Sequence, residues 1–473
     1  MSDPLRPDLC VIGAGSGGLS VAAAAALMGA SVVLVEKGLM GGDCLNTGCV
    51  PSKALLSAGA AAQAIRSAGR FGIAASEPDV DFEKVRAHVK GVIAHIAPTD
   101  SQARFKALGV HVIHATARFT DRRTVEAGGA VIKARRFIVA TGSSPAIPPI
   151  RGIETVRVLT HETIFDLAER PGHLVIIGGG PIGLEMAQAF RRLGSAVTVL
   201  EGANALSRED PELAGEVLAG LRAEGVEIRE GVTISHIEPS AGGFHVHFEG
   251  EGQAPLAGSH LLVAAGRRPN VEGLGLEAAG IGFTRTGITV RSDLRTTNAK
   301  VYAVGDVAGG AQFTHAASYH ASLVLRSALF RLSARLRPTA IPRVTYTDPE
   351  LAVAGLTEAA AIADGHAVNV LRWPFAENDR AQANGQTRGH IKVVTGRKGQ
   401  ILGAGIVGPH AGELIGFWQL AVDQGLKIQD IAQTVLPYPT LSEVSRRAAV
   451  LSYGPSLRSP WLKRALRLMR ILG

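Results

Sequence analysis

Leu9-Cys10-Val11-Ile12-Gly13-Ala14-Gly15-Ser16-Gly17-Gly18 decides the fold of this chain. A short apolar run enters a glycine-rich turn, and an alanine-rich stretch leaves it. Strand, turn and helix in that order open a βαβ unit. Gly13, Gly15 and Gly18 let the backbone approach a pyrophosphate, and the helix N-terminus offers it unpaired N–H groups. A second apolar strand, residues 31–35, leads to Glu36, a carboxylate placed to accept hydrogen bonds from a ribose. Residues 9–35 carry no charge and match a membrane span in length. The glycine turn inside that stretch and the acid straight after it favour a buried βαβ unit instead.

The pattern recurs. Leu174-Val175-Ile176-Ile177-Gly178-Gly179-Gly180-Pro181-Ile182-Gly183 leads into a helix expected from Leu184, and a further strand, residues 196–200, ends at Glu201. Gly178, Gly180 and Gly183 repeat the roles of the first three glycines. Two such units imply an α/β protein holding two dinucleotides face to face. An acid at the strand end suits the free 2′-hydroxyl of NAD, whereas a 2′-phosphate usually calls for arginine. NAD(H) is therefore favoured over NADP(H), although Arg208 follows seven residues later.

The composition agrees with a multidomain globular protein. A chain of 473 residues exceeds one ordinary core, so about two to four domains are expected. The net charge is +8, but Arg458, Lys463, Arg464, Arg467 and Arg470 sit in the last sixteen residues with no acid among them. The body is left with only about +3, and no basic stripe runs through it, which argues against nucleic-acid binding. No secretory signal is visible, and the protein is expected to be cytoplasmic. Of three cysteines, Cys10 lies in an apolar run and reads as a buried strand residue.

The other two form the chemical signal: Gly41-Gly42-Asp43-Cys44-Leu45-Asn46-Thr47-Gly48-Cys49-Val50-Pro51-Ser52-Lys53. A close pair in an intracellular protein points to redox or metal chemistry rather than a structural staple. The spacing is not that of a zinc knuckle, and the site reading includes no metal ligands. In a regular helix, five residues at about 1.5 Å each would exceed the roughly 7 Å Cα limit for a disulfide. The backbone is therefore expected to be distorted between the cysteines, at Asn46 and Gly48.

Through Pro51 and Lys53 the segment resembles the redox-active disulfide of the flavin-dependent pyridine nucleotide–disulfide oxidoreductases, in particular the dihydrolipoamide dehydrogenase and mercuric reductase branch. The resemblance assigns FAD to the first glycine loop and the nicotinamide to the second. It extends to Ala140-Thr141-Gly142, to Ala265-Gly266-Arg267-Arg268-Pro269-Asn270, and to Tyr302-Ala303-Val304-Gly305-Asp306-Val307. Thr141, Gly142, Gly266 and Asp306 are the FAD-side residues it implies, with Asp306 on the ribityl chain. Glu185 matches a glutamate that pairs with the lysine near the flavin, here Lys53.

The implied organisation is an FAD domain at 1–150 and 270–338, a nicotinamide domain at 151–269, a dimerisation domain at 339–455 and a tail at 456–473. The implied relay runs from nicotinamide to flavin to the Cys44–Cys49 disulfide. Cys49 lies nearer the flavin and Cys44 faces the acceptor. A helix starting near Val50 and Pro51 should lower the Cys49 pKa, with Lys53 adding positive charge by the flavin. Two subunits build each site in this family, so a homodimer is expected.

One departure stands out. Family members that reduce disulfides carry His-Pro-Thr, with a glutamate five residues after the histidine. This chain reads Tyr438-Pro439-Thr440-Leu441-Ser442-Glu443. An imidazole titrates near 6.5 and shuttles protons at neutral pH, whereas a phenol titrates near 10. His315 resembles a position near the flavin and is no evident substitute. Mercuric reductase also has tyrosine here, but it delivers metal through a C-terminal cysteine pair, and this chain has no cysteine after Cys49. Tyr438 and Glu443 stay as candidate catalytic residues, and the acceptor is a small-molecule disulfide, a metal ion or a quinone.

The tail, Ser459-Pro460-Trp461-Leu462-Lys463-Arg464-Ala465-Leu466-Arg467-Leu468-Met469-Arg470-Ile471-Leu472, reads as a basic amphipathic helix starting at Pro460. Such a helix suits an anionic membrane surface or, alternatively, packs on its own domain.

Overall fold

The computed structural model describes residues 3–250, 254–457 and 459–471. Arg458 and Leu472 lie outside the described residues. The chain forms two compact units, one from residues 1–68, 74–202 and 231–337, the other from 69–73, 203–230 and 338–473.

The first unit is built on two parallel sheets. In one, Leu9–Ile12 lies between Val32–Glu36 and Arg136–Val139, with His111–His114 and Val301–Ala303 outside them. Side chains of a strand alternate between faces. Leu9 and Val11 accordingly join one buried layer with Leu34 and Ile138, while Cys10 and Ile12 join the other with Val33, Phe137 and Val139. Both faces are covered, which explains an uninterrupted apolar run. Cys10 is fully buried, and burial pushes its thiol up to about 12, so it is chemically quiet. The second sheet holds Ala196–Leu200, His173–Ile177, His260–Val263 and Val158–Leu159 in parallel register.

Boundaries shift slightly from the sequence expectation. The strand before the first acid runs Val32–Glu36, and the helix of the second loop starts at Pro181 rather than Leu184. Proline suits the first helical turn because its missing N–H would find no partner there.

The second unit centres on an antiparallel sheet in the order Arg343–Thr345, Glu350–Gly355, Ile401–Gly408, His390–Thr395, Asn369–Pro374. Its core gathers Phe375, Ile391, Ile406 and Trp418, and the Trp418 indole donates to Ser445 Oγ at 3.0 Å. Buried Lys392 donates to Asp210 at 2.8 Å and lies 2.8 Å from Glu358 and 3.0 Å from Glu212. A buried ammonium needs such a set of partners to stay charged.

The tail forms the expected helix, Pro460–Ile471, and none of its residues is buried, so the alternative in which it packs on its own domain is not what the fold shows. Among the described residues no helix is long and apolar enough to cross a membrane.

Candidate redox active site

Both glycine loops are packed tightly beneath and open above. A Cβ on Gly13 would lie 2.4 Å from the Ala140 carbonyl oxygen, and one on Gly18 would lie 1.9 Å from that of Gly13. The second loop repeats this: Gly178 would meet the Ala264 oxygen at 2.5 Å and Gly183 the Gly178 oxygen at 2.0 Å. Gly13 and Gly178 have φ of +106° and +117°, a region L side chains rarely adopt. On the outer side, a Cβ on Gly180 would meet nothing within 4 Å, and one on Gly15 only the Gly42 Cα at 3.9 Å.

Neither following helix, Ser16–Leu27 or Pro181–Arg192, has a side-chain N-cap. First-turn N–H groups left without a capping side chain, beside open space, fit a pyrophosphate. The acids close each loop in the same way. Glu36 accepts from the N–H of Ala14 at 2.5 Å and of Gly38 at 2.7 Å, and Glu201 accepts from Gly179 at 2.7 Å. The residues present therefore fit two dinucleotides.

The cysteine segment follows the first loop. Gly42–Asn46 is one short helix and Cys49–Arg66 a longer one. The backbone breaks between them at Thr47 and Gly48, so the expected distortion is present at Gly48 but not at Asn46. Asn46 remains helical and its amide donates to the carbonyls of Met40 at 3.0 Å and Gly42 at 2.8 Å. Gly48 is needed for close approach, because a Cβ there would sit 2.9 Å from the Asp43 oxygen. The break brings Cys44 and Cys49 together, with their side chains within hydrogen-bonding reach of each other.

Their environments differ. Cys49 is the first residue of its helix, and its Sγ lies 3.4 Å from Thr314 Oγ1. The hydrogen bond from Cys44, the bond to Thr314 and the charge of Lys53 outweigh desolvation and lower the Cys49 thiol to about 6. Cys44 moves the other way, because its hydrogen bond to Cys49, burial and the Cys49 charge all resist its ionisation. Across the pair a thiolate is stable at Cys49 while Cys44 keeps its proton.

Lys53 lies one helical turn beyond Cys49 and donates to Glu185 Oε2 at 2.7 Å. Glu185 is only 6% exposed and Lys53 37%. The Lys53 helix packs on the Glu185 helix, with Gly59 at the contact beside Ala189 and Arg192. The helix leaving the second dinucleotide loop thereby delivers a carboxylate to the lysine beside the cysteines.

The residues expected on the FAD side sit in two sets of hydrogen bonds. Thr141 Oγ1 donates to the Asn270 carbonyl at 2.8 Å, and Asn270 Nδ2 returns a bond to the Thr141 carbonyl at 3.0 Å. Gly142 and Gly266 have φ of +66° and +139° and open space where a Cβ would stand. Ser143 donates to Asp306 at 2.5 Å, and Arg267 Nε donates to Ser143 at 2.7 Å.

Arg267 also donates to Asp43 Oδ2 at 2.6 Å, and His161 Nε2 lies 3.1 Å from Asp43 Oδ1 and 2.7 Å from Arg267 Nη1. Burial opposes ionisation of Asp43, yet His161 and Arg267 overcome it and hold the carboxyl well below its usual range. Asp43, Ser143, His161, Arg267 and Thr314 were not among the expected site residues. Only the place of Asp43 beside Cys44 could have drawn attention to it.

In the second unit, Tyr438 is 67% exposed and its hydroxyl donates to Asp379 Oδ2 at 2.8 Å. That bond and the Asp379 charge push the phenol above its ordinary value. Glu443, in the first turn of Glu443–Val450, pairs with Arg447 at 3.1 Å.

Two dinucleotide loops, a cysteine pair and a lysine–glutamate link define a flavin-dependent dithiol–disulfide oxidoreductase. The chain belongs to the pyridine nucleotide–disulphide oxidoreductase family, whose profile matches residues 7–321, and the family's dimerisation domain matches residues 341–449, which supports a homodimer. It is thus an FAD-dependent, NAD(P)H-linked enzyme with a redox-active cysteine pair. A mercuric reductase from Streptomyces lividans is 37% identical over 93% of this chain and 95% of its own length. A dihydrolipoyl dehydrogenase from Staphylococcus aureus is 35% identical over 95% of this chain and 97% of its own. The Cu(II) complex of RclA, an HOCl-induced flavoprotein disulfide reductase from Escherichia coli, superposes with a TM-score of 0.83 at 29% identity, covering 93% of this chain and 98% of that one.

Proposed function

We propose that the enzyme passes electron pairs from NADH through Cys44 and Cys49 to a soft, thiol-seeking metal ion. The observation that carries this reading is Tyr438, whose phenol donates to Asp379 and is pushed above its ordinary pKa where disulfide reductases of the family hold an imidazole. A phenol that titrates above the ordinary value near 10 is a poor proton shuttle for a leaving thiolate at pH 7. A metal acceptor removes that need, because binding to thiols itself displaces their protons.

FAD, when bound, supplies the carrier that takes hydride from a nicotinamide and gives two electrons to a disulfide. The residues around it do the rest. Gly13, Gly15 and Gly18 seat its pyrophosphate, Glu36 its ribose, and Thr141, Gly142, Gly266 and Asp306 line the remaining part of its site. Gly178, Gly180, Gly183 and Glu201 seat the nicotinamide cofactor, with Glu201 favouring NAD(H). Glu185 holds Lys53, whose charge steadies the anion that builds beside Cys49. Cys49 carries the thiolate, Cys44 meets the acceptor, and Tyr438 and Glu443 shape the approach from a second subunit.

The electrons balance. As the dithiol returns to the disulfide, two electrons reduce Hg2+ to Hg0 or two Cu2+ to two Cu+, and both thiol protons are released. Likeness to mercuric reductases and to a flavoprotein with a Cu(II) complex supports the metal class. The test is NADH oxidation with Hg2+, Cu2+ or a quinone, in the wild type and in Cys44→Ser. Metal-supported turnover that disappears in the variant supports the reading. Quinone turnover that survives it, with no metal-supported turnover, would replace it.

We further propose that the enzyme is cytoplasmic and rests on an anionic lipid surface through Pro460–Ile471. Trp461, Leu462, Ala465, Leu468 and Met469 form one exposed apolar face, and Lys463, Arg464, Arg467 and Arg470 supply charge complementary to acidic headgroups. Co-sedimentation with phosphatidylglycerol vesicles, absent with phosphatidylcholine and lost when the chain ends at Ser459, is the expected result. Equal sedimentation of the shortened chain removes the proposal.

A further inference from the structure

Away from the cysteines, the antiparallel strands Ile234–Ser240 and Gly243–Phe248 carry a second set of metal-ligand residues. Ile237, Phe244 and Val246 point into the core. The alternate positions carry His236, Glu238, His245 and His247, and all four share the opposite face. Register places His236 across from His247 and Glu238 across from His245. An irregularity between Ile234 and His236 sets that register. Bulges of this kind re-aim side chains.

The result is a compact donor set. The His236 and His247 rings stack with centroids 4.2 Å apart and an interplanar angle of 6°. His247 Nε2 lies 2.9 Å from Glu238 Oε1. Ser235 Oγ lies 3.0 Å from His236 Nδ1, which orients that ring and leaves its Nε2 for another partner. One ligand atom from each of His236, Glu238 and His247 lies within 4.8 Å of the other two. Bonds of about 2.1 Å to a common ion would need ligand atoms roughly 3.4 Å apart. Binding therefore requires the imidazoles to rotate out of their parallel stack so that their lone pairs converge, closing up to about 1.4 Å.

We propose that His236, Glu238 and His247 form a binding site for a borderline divalent cation of the Zn2+ and Cu2+ class. Two imidazoles and one carboxylate are the donors that such ions select, and Cu2+ outranks Zn2+ on any nitrogen and oxygen set. The ion takes the place of the proton between His247 and Glu238 and bridges the two strands at His236. His245 lies across from Glu238 on the same face but is not one of the mutually close donors. The ions that would occupy this site overlap with those proposed as acceptors, but the site shares no residue with the redox centre. It neither donates nor receives electrons, and its occupancy does not depend on the acceptor being a metal.

The host for the test is the untagged, FAD-loaded, full-length protein with Cys44→Ser and Cys49→Ser, so that no redox thiol competes. Zn2+ alone is titrated calorimetrically, followed by Cu2+ with electron paramagnetic resonance. The expected result is one Zn2+ per chain, a Cu2+ spectrum with nitrogen hyperfine coupling, and at least a tenfold loss of affinity in His236→Gln and in His247→Gln. Glutamine keeps the size and polarity of the face, and circular dichroism of each variant confirms folding. A dissociation constant above about 1 mM, or binding that both substitutions leave unchanged, overturns the proposal. Failure of metal turnover in the wild type would not affect this outcome, which separates the site from the proposed reaction.

Discussion

On the proposed reading, residues 41–53 and residues 437–443 carry the two halves of a dithiol reaction, electrons and protons, and they have fared differently. The first keeps every family feature: both cysteines, the glycine between them, and the lysine one turn on, now seen paired with Glu185 at 2.7 Å. Its Cys49 thiol is lowered to about 6 by Cys44, Thr314 and Lys53. The second keeps its frame of Pro439, Thr440 and Glu443 but places a phenol where an imidazole would work. That phenol is tied to Asp379 and is harder to ionise than free tyrosine. Electron delivery and proton delivery are thus separable in this scaffold. The proposed metal acceptor follows from a chain that keeps the first and gives up the second.

The sharpest way to break this contrast is to remove the electron half. Cys49→Ser should cut metal-supported NADH oxidation by about 1,000-fold or more, measured at saturating NADH. Restoring the proton half should produce the next largest effect. Tyr438→His should raise lipoamide reduction at neutral pH by about 100-fold and introduce a pH–rate inflection near 6.5. An unchanged rate would show that this position does not face the acceptor.

A smaller effect concerns the thiols themselves. In NADH-reduced enzyme, alkylation of Cys49 by iodoacetamide should rise through pH 6 and level off above pH 7, because its pKa is depressed to about 6. An ordinary thiol would keep gaining reactivity toward pH 9. Thr314→Val should shift that inflection upward by up to about one unit, since it removes one stabilising contact. The least of these effects falls on stability. Lys53→Met removes the 2.7 Å ion pair to buried Glu185 and should cost about 1–3 kcal/mol, read from denaturant midpoints, and Glu185→Gln should cost less.

The same contrast governs what the sequence could reveal. Both glycine loops were readable because their function needs local geometry: Gly13 and Gly178 have positive φ, and Gly18 and Gly183 touch backbone within their own turn. The Cys44–Cys49 pair was readable for the same reason. The polar support of the pair was not. Asp43 meets Arg267 across 224 positions and His161 across 118, and Thr314 lies 265 positions from Cys49. No local pattern encodes those meetings, which depend on how the segments around residues 161, 267 and 314 are placed by the sheets. Asn46 shows the converse limit. Its residue type permits the break expected there, yet its amide found carbonyl partners inside a helical turn, and Gly48 took the break instead. The His236, Glu238 and His247 cluster also stayed hidden, because the register that joins it depends on an irregularity at residue 235.

The most direct measurement is the ratio of Hg2+-supported to lipoamide-supported NADH oxidation by the wild-type dimer at pH 7, with Cys49→Ser as the blank. The account predicts a ratio of about 100 or more, with both activities lost in the blank. A ratio near one, with lipoamide turning over freely beside an intact Tyr438, would contradict it.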